Sequence, residues 1–175
     1  MQRNSEDFIE LLKPVYNDAL NYCNALARNQ ADAKDLLQDV LLKALENFVR
    51  LKDEKKFKAW LFTILTRQYY TMYNKSVTQK KLFNNVACET IEFPNVFQKE
   101  IDEVKQKALL ASLNLITERE RTAILLFEVG RFSMEEIRII QGEKSLSAVK
   151  SRINRARAKL KDLIVGLESK ALANG

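Results

Sequence analysis

The sequence predicts an all-α protein of two small helical domains joined by a flexible linker, the C-terminal one a helix-turn-helix. Three observations carry that prediction. Only 4 Gly and 2 Pro occur in 175 residues, too few for the many tight turns of an all-β fold. Apolar residues recur at three- and four-residue steps through most of the chain, the period of a helix with one buried face. Two Ser/Thr-x-x-Glu boxes, Thr117 with Glu120 and Ser133 with Glu136, mark helix starts in the second half.

In chain order, a first helix is expected over 5–28, with Phe8, Leu11, Leu12, Val15, Ala19, Tyr22 and Leu26 inward and a kink at Pro14. A second is expected over 32–49. Leu36, Leu37, Val40, Leu41, Ala44, Leu45 and Phe48 face in, and Asp32, Asp35 and Asp39 face out. A charged loop, 50–56, leads to a third helix over 57–73. From about 74 to 94 the period fails and Asn, Ser, Thr and Lys collect, the composition of an interdomain linker. The domains are therefore set at 1–75 and 96–170, with 76–95 between them.

Helical signal resumes near Val96, with Ile101, Val104, Ala108, Leu109 and Leu113 as its stripe. The apolar run from Ala123 to Phe127 reads as core, and Gly130 as a helix C-cap. A short helix over 134–140, a turn at Gln141-Gly142 and a long helix over 147–167 have the spacing of a DNA-binding helix-turn-helix.

That last helix has two faces. Val149, Ile153, Ala156, Leu160 and Leu163 form the inward stripe. The remaining surface carries Lys150, Arg152, Arg155, Arg157, Lys159 and Lys161 before the first acid, Asp162. Residues near the N-terminus of such a helix meet base edges, so Ser147, Lys150, Ser151 and Asn154 are the candidate base readers. Arg152, Arg155 and Arg157 are the candidate phosphate contacts. The net charge of +6 suits this, although its placement matters more than its sum.

Composition excludes much else. The chain has no His, which removes His-based acid–base chemistry, His triads and nearly all zinc sites. No phosphate-binding glycine loop occurs. No catalysis, metal, cofactor or small-molecule substrate is expected. Cys23 and Cys88, far apart in sequence, read as free thiols in a reducing cytoplasm. The start, Met1-Gln2-Arg3-Asn4, lacks a signal peptide's apolar core, and no segment is long enough to span a bilayer. A cytoplasmic protein is expected.

Five stretches resemble a known family. Ile116-Thr117-Glu118-Arg119-Glu120-Arg121, Phe132-Ser133-Met134-Glu135-Glu136-Ile137 and Val149-Lys150-Ser151-Arg152-Ile153-Asn154-Arg155-Ala156-Arg157 are similar to region 4 of the extracytoplasmic-function (ECF) sigma factors. Independently, Ala33-Lys34-Asp35-Leu36-Leu37-Gln38-Asp39-Val40 and Phe57-Lys58-Ala59-Trp60-Leu61-Phe62-Thr63-Ile64 resemble their region 2. The matches lie in both domains, in the family's order and at its spacing.

The resemblance implies a factor that binds core RNA polymerase and directs it to promoters. The alternative is a stand-alone helix-turn-helix regulator with an unrelated N-terminal sensor. By resemblance, Asp35, Leu36, Gln38, Asp39 and Lys43 would dock on polymerase. Lys52, Lys55, Lys56 and Lys58 would attract the minus-ten strand, and Phe62, Tyr69, Tyr70 and Tyr73 would stack its bases. Trp60 would either pack in the core or hold the strands apart. The final helix would read the minus-thirty-five element. The resemblance also implies an anti-sigma partner, and the need for two different promoter elements suits a monomer when free.

This chain departs from the family pattern in three places. Where the family usually carries Arg-Asn and an Asp a few residues on, the stretch reads Thr66-Arg67-Gln68-Tyr69-Tyr70-Thr71-Met72-Tyr73, and the basic cluster that often follows is reduced to Lys75. The turn after Gly142 is one residue longer. Arg138 stands where a small residue is usual, so either its side chain snorkels outward or the two helices cross more widely.

Overall fold

The structure, a computed structural model, describes residues 4–27, 29–82 and 103–173. All regular structure among the described residues is helical. The chain divides into two compact units, Met1–Phe93 and Pro94–Gly175.

The first unit holds α1 (Ser5–Leu12), α2 (Tyr16–Leu26), α3 (Gln30–Asn47) and α4 (Phe57–Leu82). Pro14 separates α1 from α2 instead of kinking one helix. Proline has no N–H to donate, and its ring collides with the carbonyl four residues back. Each side of the break is stabilised locally. Asn4 and Asp7 form a capping box at the start of α1, and the Val15 N–H donates to the Leu12 carbonyl at 2.9 Å. Asn29 opens α3 by accepting from the Asp32 N–H at 2.8 Å.

α3 packs on α2 and on α4. Ala33, Leu36, Leu37, Val40 and Ala44 are its buried stripe. Leu41 is only half-buried and Leu45 is 42% exposed, so the inward face is narrower than expected. Phe8, Phe48 and Phe57 meet edge-on, with ring centroids 5.3 to 6.2 Å apart. This cluster fastens α1 to the short turns 48–50 and 54–56 that lead into α4. Edge-to-face rings satisfy their quadrupoles as well as burying area. Cys23 is a buried free thiol; Cys88 lies outside the described residues.

α4 runs nine residues past the expected end at Tyr73, so 76–82 continue the helix rather than open the linker. The apolar period does fail there, but the polar residues of α4 bond back to the helix itself. The Thr71 hydroxyl donates to the Arg67 carbonyl at 3.0 Å and the Ser76 hydroxyl to the Tyr73 carbonyl at 2.9 Å. The rest of the expected linker, 83–95, lies outside the described residues, as do 96–102 of the helix expected after it.

The second unit holds α5 (Glu103–Leu113), α6 (Glu118–Glu128), α7 (Met134–Gln141) and α8 (Leu146–Ala173). α8 packs against α5, α6 and α7. α6 is central, with Glu120 through Leu126 all buried. Both expected capping boxes are present, at Thr117/Glu120 and Ser133/Glu136. In α5 Ala108, Leu110, Ser112 and Leu113 are buried, so Leu110 faces in where Leu109 was expected.

Gly130 is not a left-handed cap. A Cβ there would stand 2.7 Å from the Phe132 ring and 2.8 Å from the Leu126 carbonyl oxygen. Glycine is needed for this close approach, and the left-handed residue is Arg131. Gly142 does take the left-handed conformation, at φ 67 and ψ 34, where a residue without Cβ is least strained.

Candidate nucleic-acid interface

In the second unit α7, its turn and α8 form the helix-turn-helix. Gly142 turns the chain, and the Ser145 hydroxyl oxygen then accepts from the Ala148 N–H at 3.2 Å. Ser145 is thus the cap that starts α8, one residue before the expected position. No acid stands three residues on, so the capping-box pattern that marks α6 and α7 is missing here.

Val149, Ile153 and Ala156 are fully buried and Leu160 is 7% exposed; Leu163 is half-buried. These residues fix the rotation of α8. Ser147, Lys150, Ser151, Asn154 and Arg155 are therefore exposed together on its outer side. Hydroxyl, amide and cation lie along one stripe beginning at the helix N-terminus, the arrangement that reads base edges and phosphates in a major groove.

The flanking cations behave differently. Arg152 corrects the expectation of a phosphate contact: its side chain is 13% exposed and bonds Glu143 at 2.6 Å and the Gln141 amide oxygen at 2.9 Å. Helical rotation places it beside the inward stripe, and a buried guanidinium must be paired. Arg157 stays half-exposed, 4.9 Å above the Phe127 ring, and donates to Glu128 at 2.8 Å. Lys159 pairs with Glu120. Arg138 reaches outward, as expected, bonding Glu135 at 2.6 Å and the Glu143 carbonyl at 3.2 Å.

In the first unit, Lys52, Lys55 and Lys56 are exposed on the turn leading into α4. Lys58 is committed to Asp18 at 2.7 Å. Trp60 is half-exposed with its ring 5.9 Å from Phe57, so it packs against the core while keeping one part in solvent. Two expected stacking residues are corrected. Phe62 is fully buried against Tyr22, and Tyr69 is 7% exposed. Tyr70 and Tyr73 are half-exposed.

On α3, Asp35, Gln38, Asp39 and Lys43 are exposed. Leu36, expected on the docking surface, is only 1% exposed and belongs to the core. Sequence reasoning missed two features of this face. The Gln68 side chain of α4 accepts from Lys43 and donates to Asp39 at 3.4 Å, tying two of the exposed groups together. Leu42 and Val49 are 62% and 68% exposed, so the acidic face continues into an apolar one. The spacing 35, 38, 42, 45, 49 is that of one helical stripe, and it was legible once Leu45 was placed outward.

Residues 11–77 match the Sigma-70 region 2 family. The RNA polymerase sigma factor YlaC of Bacillus subtilis is 27% identical over 91% of this chain and 92% of its own length. The ECF RNA polymerase sigma factor EcfG of Rhodopseudomonas palustris is 30% identical over 80% of this chain and 75% of its own. The chain belongs to the ECF sigma factors. The sigma factor RpoE from Bartonella quintana, solved in complex with the anti-sigma factor NepR, has the same fold. It superposes with a TM-score of 0.79 at 28% identity, covering 91% of this chain and 97% of that one. As a sigma factor this protein binds core RNA polymerase and directs it to promoters to initiate transcription. The full-length likeness leaves the stand-alone regulator without support. Among the described residues, no helix of this sigma factor is long and apolar enough to cross a membrane.

Proposed function

We propose that the second unit is region 4 and reads the minus-thirty-five element with Ser147, Lys150, Ser151 and Asn154. Arg155 and the half-exposed Arg157 hold phosphates beside it. The observation that carries this reading is the single exposed stripe on α8, set outward by buried Val149, Ile153 and Ala156. The first unit is region 2, extending to the end of α4. Core polymerase docks on the outer face of α3, through Asp35, Gln38, Asp39 and Lys43 with Leu42 and Val49 beside them. Carboxylates next to exposed apolar side chains suit an Arg-rich helical partner. Lys52 and Lys56 attract the minus-ten strand, and Trp60, Tyr70 and Tyr73 offer rings to its bases.

An anti-sigma factor is the further partner, by analogy with the RpoE complex. The protein acts by binding alone, as a monomer in the cytoplasm, without metal or cofactor. Transcription of a matched promoter by core polymerase, with and without this chain, tests the proposal. Strict dependence on the chain supports it. Transcription that ignores the chain refutes it.

A further inference from the structure

Glu143 stands in the turn of the helix-turn-helix, directly after Gly142. Its backbone is pinned at both ends. Its N–H donates to the Arg138 carbonyl at 2.8 Å, and its own carbonyl accepts from the Arg138 side chain at 3.2 Å. One carboxylate oxygen, Oε1, accepts from Arg152 of α8 at 2.6 Å and from Arg119 of α6 at 2.8 Å. The side chains of Glu143 and Arg152 are each 13% exposed, whereas that of Arg119 is 61% exposed. The charge-assisted bond from Arg152 also keeps the Glu143 carboxyl below its ordinary range, so it stays an anion at neutral pH.

The cations flanking the outer stripe of α8 are paired with acids. Glu120 holds Lys159, and Glu143 holds Arg152 together with Arg119, whereas Arg157 bonds Glu128 with its side chain still 47% exposed. Among the described residues no acid pairs with Lys150 or Arg155 on the outer stripe. Cations near DNA add affinity through phosphate, which carries no sequence information. A carboxylate bonded to the same N–H groups competes with phosphate for them.

We propose that Glu143 is a specificity-determining residue: it withholds Arg119 from DNA phosphates and so restrains binding to the wrong sequence. This rests on reading α8 as the minus-thirty-five reader. On a matched site the approach of α8 is set by base edges, and Arg119 is not aimed at phosphate. On unmatched DNA the docking is free to shift until a released Arg119 finds one.

The test uses holoenzyme assembled from the full chain and core polymerase. One probe is a promoter duplex recovered by wild-type holoenzyme from a library randomised upstream of the start site. The other is poly(dI–dC). With Glu143→Gln, the salt dependence on poly(dI–dC) should steepen by about 0.9 in log–log slope, one more phosphate contact. At ~0.15 M salt that slope corresponds to roughly fivefold tighter binding, with promoter binding unchanged and the preference for promoter reduced by the same factor. Adding Arg119→Gln to Glu143→Gln should restore the wild-type slope, and Arg119→Gln alone should leave it unmoved. An unchanged slope and preference in Glu143→Gln overturns the proposal. So does weaker binding to both duplexes at constant slope, the mark of a residue that only supports the fold. If Lys150→Gln and Arg155→Gln leave wild-type binding intact, the reading of α8 itself fails, and the proposal goes with it.

Discussion

Lys159 donates to both carboxylate oxygens of Glu120, at 2.8 and 3.0 Å, and so ties the middle of α8 to the first turn of α6. The same carboxylate closes the capping box with the Thr117 N–H at 3.1 Å. Burial raises the Glu120 carboxyl, but the Lys159 ammonium and the Thr117 N–H and hydroxyl outweigh that, and its pKa lies below the ordinary 4.5. A carboxyl depressed on folding contributes stability above its unfolded pKa and loses it as pH falls through the folded one. Glu143, held down first by Arg152, adds in the same direction. The opening constant of α6 and α8, read from amide exchange after division by the intrinsic rate at each pH, should therefore be flat from about pH 7 to 5 and rise below about 4.5. Glu120→Gln should flatten part of that rise. An acid response identical to wild type would remove Glu120 from the linkage.

Tyr22 and Thr66 share one hydrogen bond, 3.2 Å between hydroxyls, in the fully buried centre of the first unit. Burial also pushes the Tyr22 phenol well above its usual range, so it stays protonated. Tyr22→Phe or Thr66→Val leaves one hydroxyl without its partner and should cost about 1–3 kcal/mol. The double replacement removes both polar groups and should cost clearly less than the sum of the two. Urea unfolding followed by the fluorescence of Trp60, the only Trp, measures this. Strict additivity would mean the bond contributes nothing.

The parts of this fold legible in the sequence are those set within one helical turn. Both capping boxes and the left-handed Gly142 are i, i+3 or single-residue signals, and they stand where the pattern placed them. Periodicity also carried more than was taken from it. Phe62 and Tyr69 continue the buried spacing set by Phe57, Leu61, Leu65 and Thr66, and Leu36 lies in the stripe of Ala33, Leu37 and Val40. Their surface roles came from resemblance and yielded to burial. What periodicity does not carry is the partner of a long side chain. Arg152 lies on the margin of its helix, and only the placement of Glu143 and Gln141 by other elements turns it inward. The length of α4 was hidden for a related reason: its last turns have no apolar period to announce them.

The division of cations on α8 is measurable as salt dependence. Lys150 and Arg155 are exposed on the outer stripe, so replacing either with Gln should lower the slope of promoter binding by about 0.9. Arg152→Gln should leave that slope unchanged, because the guanidinium already serves Glu143 and Gln141. Its effect should appear instead as faster amide exchange in α7 and the following turn. Holoenzyme binding to promoter duplex across a range of salt concentrations separates the two. A slope lowered by Arg152→Gln as much as by Arg155→Gln would contradict the pairing.

Neighbouring residues on α3 should part in the same way. Leu36 is 1% exposed, and Leu36→Ala should cost about 2–5 kcal/mol from lost contacts and the cavity left behind. Asp35 and Asp39 are exposed on the opposite side, where a charge change leaves the core untouched. The joint replacement Asp35→Lys with Asp39→Lys should therefore keep the unfolding free energy within about 0.5 kcal/mol of wild type. It should also lose capture of core polymerase, because a Lys pair repels the cations that the carboxylates attract. The two readouts are independent: urea unfolding reports the fold, and co-purification with core polymerase reports docking. Retained docking in the stable charge-reversed variant would move the polymerase surface off α3.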